Sequence, residues 1–162
     1  MNNLIHSSTG LIHLLFSLAS LIAGTFVLLS NKGTRTHQIV GYLYTVFMLG
    51  VNGTAFGLYG LFGRLGPFHF AALISLATLL AGIFPALLRI KNWLNLHVAF
   101  MYYSVIGLYA AFVSEVIVRI PGLPFGPAVG IATAVVMITA FIAFRLLGPH
   151  WLRQFKSYLT NN

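Results

Sequence analysis

The residues able to do chemistry in this chain are few: six histidines, a single carboxylate, Glu115, and no cysteine. Imidazole is the commonest metal ligand among side chains, and four of the six histidines fall one to each of four successive apolar stretches. His13 lies near the outer end of the first stretch and His37 opens the second at the inner face. His69 opens the third at the outer face, and His97 sits about a turn inside the fourth at the inner face. Ionisable residues inside a membrane are costly and are the first place to look for function. Successive helices run in opposite directions, so the four sort by depth into His13 with His69 and His37 with His97. Each pair comes from alternate helices, which are diagonal in a four-helix bundle. Two imidazoles facing each other across a bundle can ligate opposite faces of a flat metal macrocycle, and bis-imidazole ligation makes an electron-transfer haem. Two haem b sites, one near each face, would form a wire across the membrane.

Glu115 opens a different chemistry. It follows His97 by 18 residues, which is five whole turns, so both project from one helix face about 27 Å apart. That carries Glu115 to the depth of His13 and His69, and two histidines with a carboxylate form a ligand set for zinc or iron. Arg119, four residues on, offers Glu115 an ordinary ion pair instead. The histidines likewise have a plainer reading, as interfacial groups bonded to water or headgroups. His6 and His150 lie outside the stretches and receive no role.

These groups need elements to hold them. The chain of 162 residues is 59% hydrophobic and 6% charged, whereas soluble domains carry roughly a quarter charged residues; a soluble protein is excluded. A bilayer core takes about 20 apolar helical residues, and five stretches reach that length: roughly 11–30, 37–62, 67–88, 93–118 and 125–147. Period-2 alternation is lacking, so the expectation is an all-α bundle of five transmembrane helices forming a single membrane domain over 1–162. The first helix is expected to be retained, because Met1 to Gly10 carry no Lys or Arg and no cleavage pattern follows.

Five spans place the termini on opposite sides. Lys32, Arg35, Arg89, Lys91, Arg145, Arg153 and Lys156 share the C-terminal side, against Arg64 and Arg119 on the other. Positive residues stay inside, so the N-terminus is expected outside and the C-terminus in the cytoplasm. The formal charge of +8 is too dispersed for the basic stripe that nucleic acid requires. Lys32, Arg35, Arg89 and Lys91 flank the inner histidine pair, and Arg64 and Arg119 the outer pair, where they would neutralise haem carboxylates or simply set topology. Asn52 cannot hide its amide in lipid and should face the bundle interior.

The absence of cysteine excludes disulfides, thiolate metal sites and c-type haem attachment. No phosphate-binding loop, H-E-x-x-H pair or nucleophile elbow occurs, and one carboxylate cannot serve paired acid/base chemistry.

The run Lys32-Gly33-Thr34-x-x-His37-x-x-x-Gly41-Tyr42-x-Tyr44-x-x-x-Met48, then Asn52 and the histidines opening the third and fourth helices, resembles a family of small bacterial membrane proteins classed as a domain of unknown function. That resemblance covers most of the chain and implies the bacterial cytoplasmic membrane. The arrangement of one histidine per core helix, paired first with third and second with fourth, with Lys32 and Arg35 ahead of His37, resembles the ascorbate-dependent diheme cytochromes b. That family has six spans where this chain has five. It implies a diheme electron-transfer protein and a possible oxidoreductase. The partners expected are the lipid bilayer, a quinol or other small-molecule reductant and a second copy of the chain. A zinc or iron transporter or metalloenzyme built on His13, His69 and Glu115 stands beside it, as does a non-catalytic subunit of a membrane complex.

Overall fold

Apolar sequence of this length has one common way to satisfy its backbone in lipid, the helix. The computed structural model describes residues 8–58 and 66–160, and among these every regular element is helical: α1 Ser8–Leu29, α2 Arg35–Ala55, α3 Pro67–Leu88, α4 Trp93–Ile117 and α5 Phe125–Thr160. Four of them, α1, α3, α4 and α5, are long and apolar enough to cross a membrane. The 21-residue α2 is more polar, carrying Arg35, Thr36, His37 and Gln38 in its first turn and Asn52 near its end.

Two boundaries differ from those expected. α2 starts two residues early because Thr34 caps it, its Oγ1 accepting the His37 N–H at 3.2 Å, and it closes at Ala55 in tight turns from Gly57 to Thr54 and Leu58 to Ala55. α5 does not stop at 147 but runs through Pro149 to Thr160. The continuation is held by Trp151 and Phe155, which are buried in a cluster with Val98, Tyr102 and Ala140.

Helix α1 packs along α2, and α3 along α4, more extensively than α2 along α3 or α1 along α4; α5 lies against α4. Neither α1 and α3 nor α2 and α4 pack along each other, so these are the two diagonals of a four-helix core. The main cluster draws Ala23 from α1, Tyr44 and Met48 from α2, Leu79 from α3, and Met101, Val105 and Leu108 from α4. Large apolar side chains also face outward, among them Ile22, Leu29, Ile74 and Leu146, which suits a surrounding of lipid instead of water. Helices α3 and α4 approach closely at Gly82: a Cβ there would stand 2.8 Å from the Met101 sulfur and 3.0 Å from its backbone nitrogen.

The 30–34 turn, the 89–92 turn and the end of α5 meet at one end of the bundle, the tail end. Gly33 makes its turn with a left-handed φ of 83°, and the Tyr158 ring lies against it, 3.0 Å from where a Cβ would be.

Candidate functional site

At the tail end α2 and α4 bring His37 and His97 together across the diagonal, with ring centroids 6.3 Å apart and planes at 81°. The phase of the two helices does this. On α2 the buried positions are 37, 44, 48 and 52, and His97 projects to the same depth from α4. Phe155, from the extension of α5, stands edge-on to both rings, 5.2 Å from His37 and 5.8 Å from His97.

Hydrogen bonding fixes the tautomer of His97. Its Nδ1 lies 3.0 Å from the Gly82 carbonyl oxygen; a carbonyl only accepts, so Nδ1 donates and the neutral ring presents a lone pair at Nε2. A backbone carbonyl on the far nitrogen is the usual support of a metal-binding histidine. His37 is 7% exposed, and its Nδ1 is buried with no hydrogen-bond partner. Beside the pair lies a cavity of about 190 Å³ whose wall includes Lys32, Tyr44, Arg89, Trp93 and Tyr158.

The basic residues around this cavity divide. Lys32 is buried, and its ammonium donates to the carbonyls of Val27 at 2.7 Å, Leu28 at 2.6 Å and Ser30 at 2.9 Å, with the Trp151 ring 5.1 Å away. An ammonium has three donors, so all are spent on the carbonyl end of α1 and none remains for a cofactor carboxylate. Burial also pushes its pKa down to about 8. Arg89, which ends α3 in the left-handed region, covers the Trp93 ring at 4.4 Å, lines the cavity and is exposed. Arg35 and Lys91 are exposed, and neither lines the cavity.

The opposite end is built differently. His13 Nδ1 is 2.9 Å from Thr54 Oγ1. The Thr54 hydroxyl already donates to the carbonyls of Gly50 and Val51, so His13 is the donor and keeps its Nε2 lone pair. His69 has the opposite tautomer: its Nδ1 accepts the Gly66 N–H at 3.0 Å, which places the hydrogen of the neutral ring on Nε2. This is the reach-back of a capping box, with His69 at the third helical position doing the work of a glutamate. As folded, His69 therefore offers no lone pair. Glu115 is ion-paired to Arg119, both side chains well exposed. Among the described residues no three His, Cys, Asp or Glu gather around one point, so His13, His69 and Glu115 do not form a three-ligand set. Arg64, assigned to the outer pair by sequence, lies outside the described residues.

Residues 10–152 match the model of a family described as predicted membrane protein (DUF2306). The chain belongs to this family. The match takes in all four helix-borne histidines, Lys32 and Gly82, and ends before Phe155. No curated protein and no solved structure matches this DUF2306 member.

Two elements that shape this end of the DUF2306 chain carry no signal in the sequence: the Phe155 ring, which reaches both imidazoles only because α5 continues past 147, and the Gly82 carbonyl, which no residue type announces. The capping role of His69 did have a signal, since Gly66 and Pro67 ahead of it are a helix start.

Proposed function

We propose that this DUF2306 protein is a b-type haem protein of the bacterial cytoplasmic membrane, holding one haem at the tail end between His37 and His97. In this reading α2 is a fifth span, the N-terminus is outside and the C-terminus cytoplasmic. A quinol or other small-molecule reductant supplies the electrons. The observation that carries it is the facing of two imidazoles from diagonal helices, one with its Nδ1 tied to a carbonyl. Imidazoles on opposite faces of one metal, each with a bond of about 2.0 Å, set their centroids about 6 Å apart; the pair here is at 6.3 Å.

The donors fit and the room is short. Cofactor cavities run to about 300–1,000 Å³, against about 190 Å³ here, so a haem would need the Phe155 ring, which stands beside both imidazoles, to move aside. When bound, the haem supplies one-electron redox chemistry. His97, oriented by the Gly82 carbonyl, and His37 would hold it, and the exposed Arg89 that lines the cavity would meet a propionate. A second haem between His13 and His69 gains support only from His13, since His69 is committed to Gly66.

The test is expression with ample haem and reduced-minus-oxidised spectra of the purified protein. One haem per chain is expected, lost in His37→Ala and in His97→Ala and kept in His69→Ala. A colourless wild type, or full haem content in both tail-end variants, overturns the assignment.

A further inference from the structure

Positive charge at the tail end has no counterpart within the protein. Arg35, Arg89, Lys91, Arg145, Arg153 and Lys156 are exposed at or near that end. The single side-chain carboxylate of the chain, Glu115, is paired with Arg119 at the opposite end. No side chain can neutralise these six groups, so their counter-charges come from the surroundings, where anionic lipid headgroups attract basic side chains next to a membrane span.

Helix α5 buries Ala140, Gly148, Trp151 and Phe155, a face that keeps its phase through Pro149. The opposite face, at the same helical spacing, is Val135, Ile138, Ile142 and Leu146, followed by His150, Arg153 and Ser157, and every one of these is exposed. A single strip thus changes from apolar to polar and cationic between Leu146 and His150. From Val135 to Leu146 it rises about 16 Å, half of a hydrocarbon core of about 30 Å, so its apolar part is one leaflet long.

The polar end of the strip is also one wall of an open groove against the 30–34 turn, lined by Asn31, His150, Arg153, Ser157 and Tyr158. Gln154 ties the two walls together: its Oε1 is 3.5 Å from the Lys32 backbone nitrogen, and its Nε2 donates to His150 Nε2 at 3.0 Å. That bond puts the hydrogen of the neutral His150 ring on Nδ1. The Lys32 ammonium, although on the wall, is spent on the carbonyls of α1. Arg153 is therefore the cation this groove has to offer, with hydrogen-bond donors on Asn31, His150 and Ser157 beside it, and a guanidinium matches the paired oxygens of a phosphate.

We propose that the groove holds the phosphodiester of an anionic glycerophospholipid, with Arg153 on the phosphate and the acyl chains along Val135 to Leu146. A soluble phosphate finds the same guanidinium but leaves the apolar strip unused. A zwitterionic lipid carries its own cation, so the net negative charge of the lipid is what selects it. Neither His37 nor His97 lines the groove, so this site and the haem assignment stand or fall separately.

Delipidated protein in a non-ionic detergent, mixed with phosphatidylglycerol and phosphatidylcholine of identical chains and read by native mass spectrometry, measures the preference. Wild type should retain phosphatidylglycerol several-fold over phosphatidylcholine. Arg153→Gln should lose that preference, whereas Lys156→Gln, which removes the same charge from outside the groove, should keep it. Both side chains are exposed, so both variants should fold as wild type does. Glycerol 3-phosphate at the concentration of the lipid should displace none of it. Equal retention of the two lipids by wild type, the same preference in the two variants, or displacement by glycerol 3-phosphate overturns the proposal.

Discussion

Replacing Gly82 with alanine puts a methyl group into the tightest approach of α3 to α4. The new Cβ meets the Met101 sulfur at 2.8 Å, its Cγ at 2.9 Å and its backbone nitrogen at 3.0 Å. The side chain can swing aside; the nitrogen moves only if α4 moves. Overpacking of this kind costs about 1–3 kcal/mol, and separating the helices strains the bond from His97 Nδ1 to the Gly82 oxygen, worth about 0.5–1.5 kcal/mol. Alanine also gains about 1 kcal/mol of helix propensity over glycine. Gly107 on α4 provides the control, since a Cβ there meets nothing within 4 Å. The propensity gain is common to both variants and cancels, so Gly82→Ala should be less stable than Gly107→Ala by about 2–4 kcal/mol. Unfolding in mixed micelles with increasing denaturing detergent measures the difference. Equal stability of the two variants would show that the α3–α4 approach is not packed as described.

Lys32 pairs a buried ammonium with the end of α1, and its folded pKa of about 8 lies below the ordinary 10.5. Between those values the unfolded chain binds the proton and the folded one does not, so stability should rise with pH across that window; Lys32→Met should flatten the slope in pH-dependent unfolding. Tyr44→Phe leaves the Ser104 hydroxyl buried and unpaired and should cost about 1–3 kcal/mol, while adding Ser104→Ala should recover part of it in a double-mutant cycle. Phe155→Ala removes a buried ring at a cost of about 3–5 kcal/mol, yet should raise haem loading per folded protein, measured by pyridine haemochrome, because it opens space beside the two imidazoles.

The elements were readable because membrane helices announce themselves by length and hydropathy, and the depth of a histidine follows from counting residues along them. That reasoning placed His37 and His97 at one level on diagonal helices and Asn52 inside. It could not say which way a ring nitrogen points, because that depends on backbone groups such as the Gly82 carbonyl and the Gly66 N–H. The same blindness made Lys32 look like a cofactor ligand, since its residue type does not reveal that three carbonyls of the α1 terminus lie within its reach. The apolar stretch ends at 147, but burial of Trp151 and Phe155 carries the helix onward through Pro149. α2 was legible as a helix, while its polar interior stripe made its hydropathy poorer than its packing.

The unequal packing of the core, two tight hairpins joined along looser seams, has a consequence for assembly. Each hairpin is a self-contained antiparallel unit, α1 with α2 and α3 with α4, and His37 belongs to one while His97 belongs to the other. The pair is therefore a product of hairpin docking and does not exist in either half. Made as two separate polypeptides, the halves should recombine in a membrane, and a colour that forms only on mixing would turn the site into its own reporter of complementation.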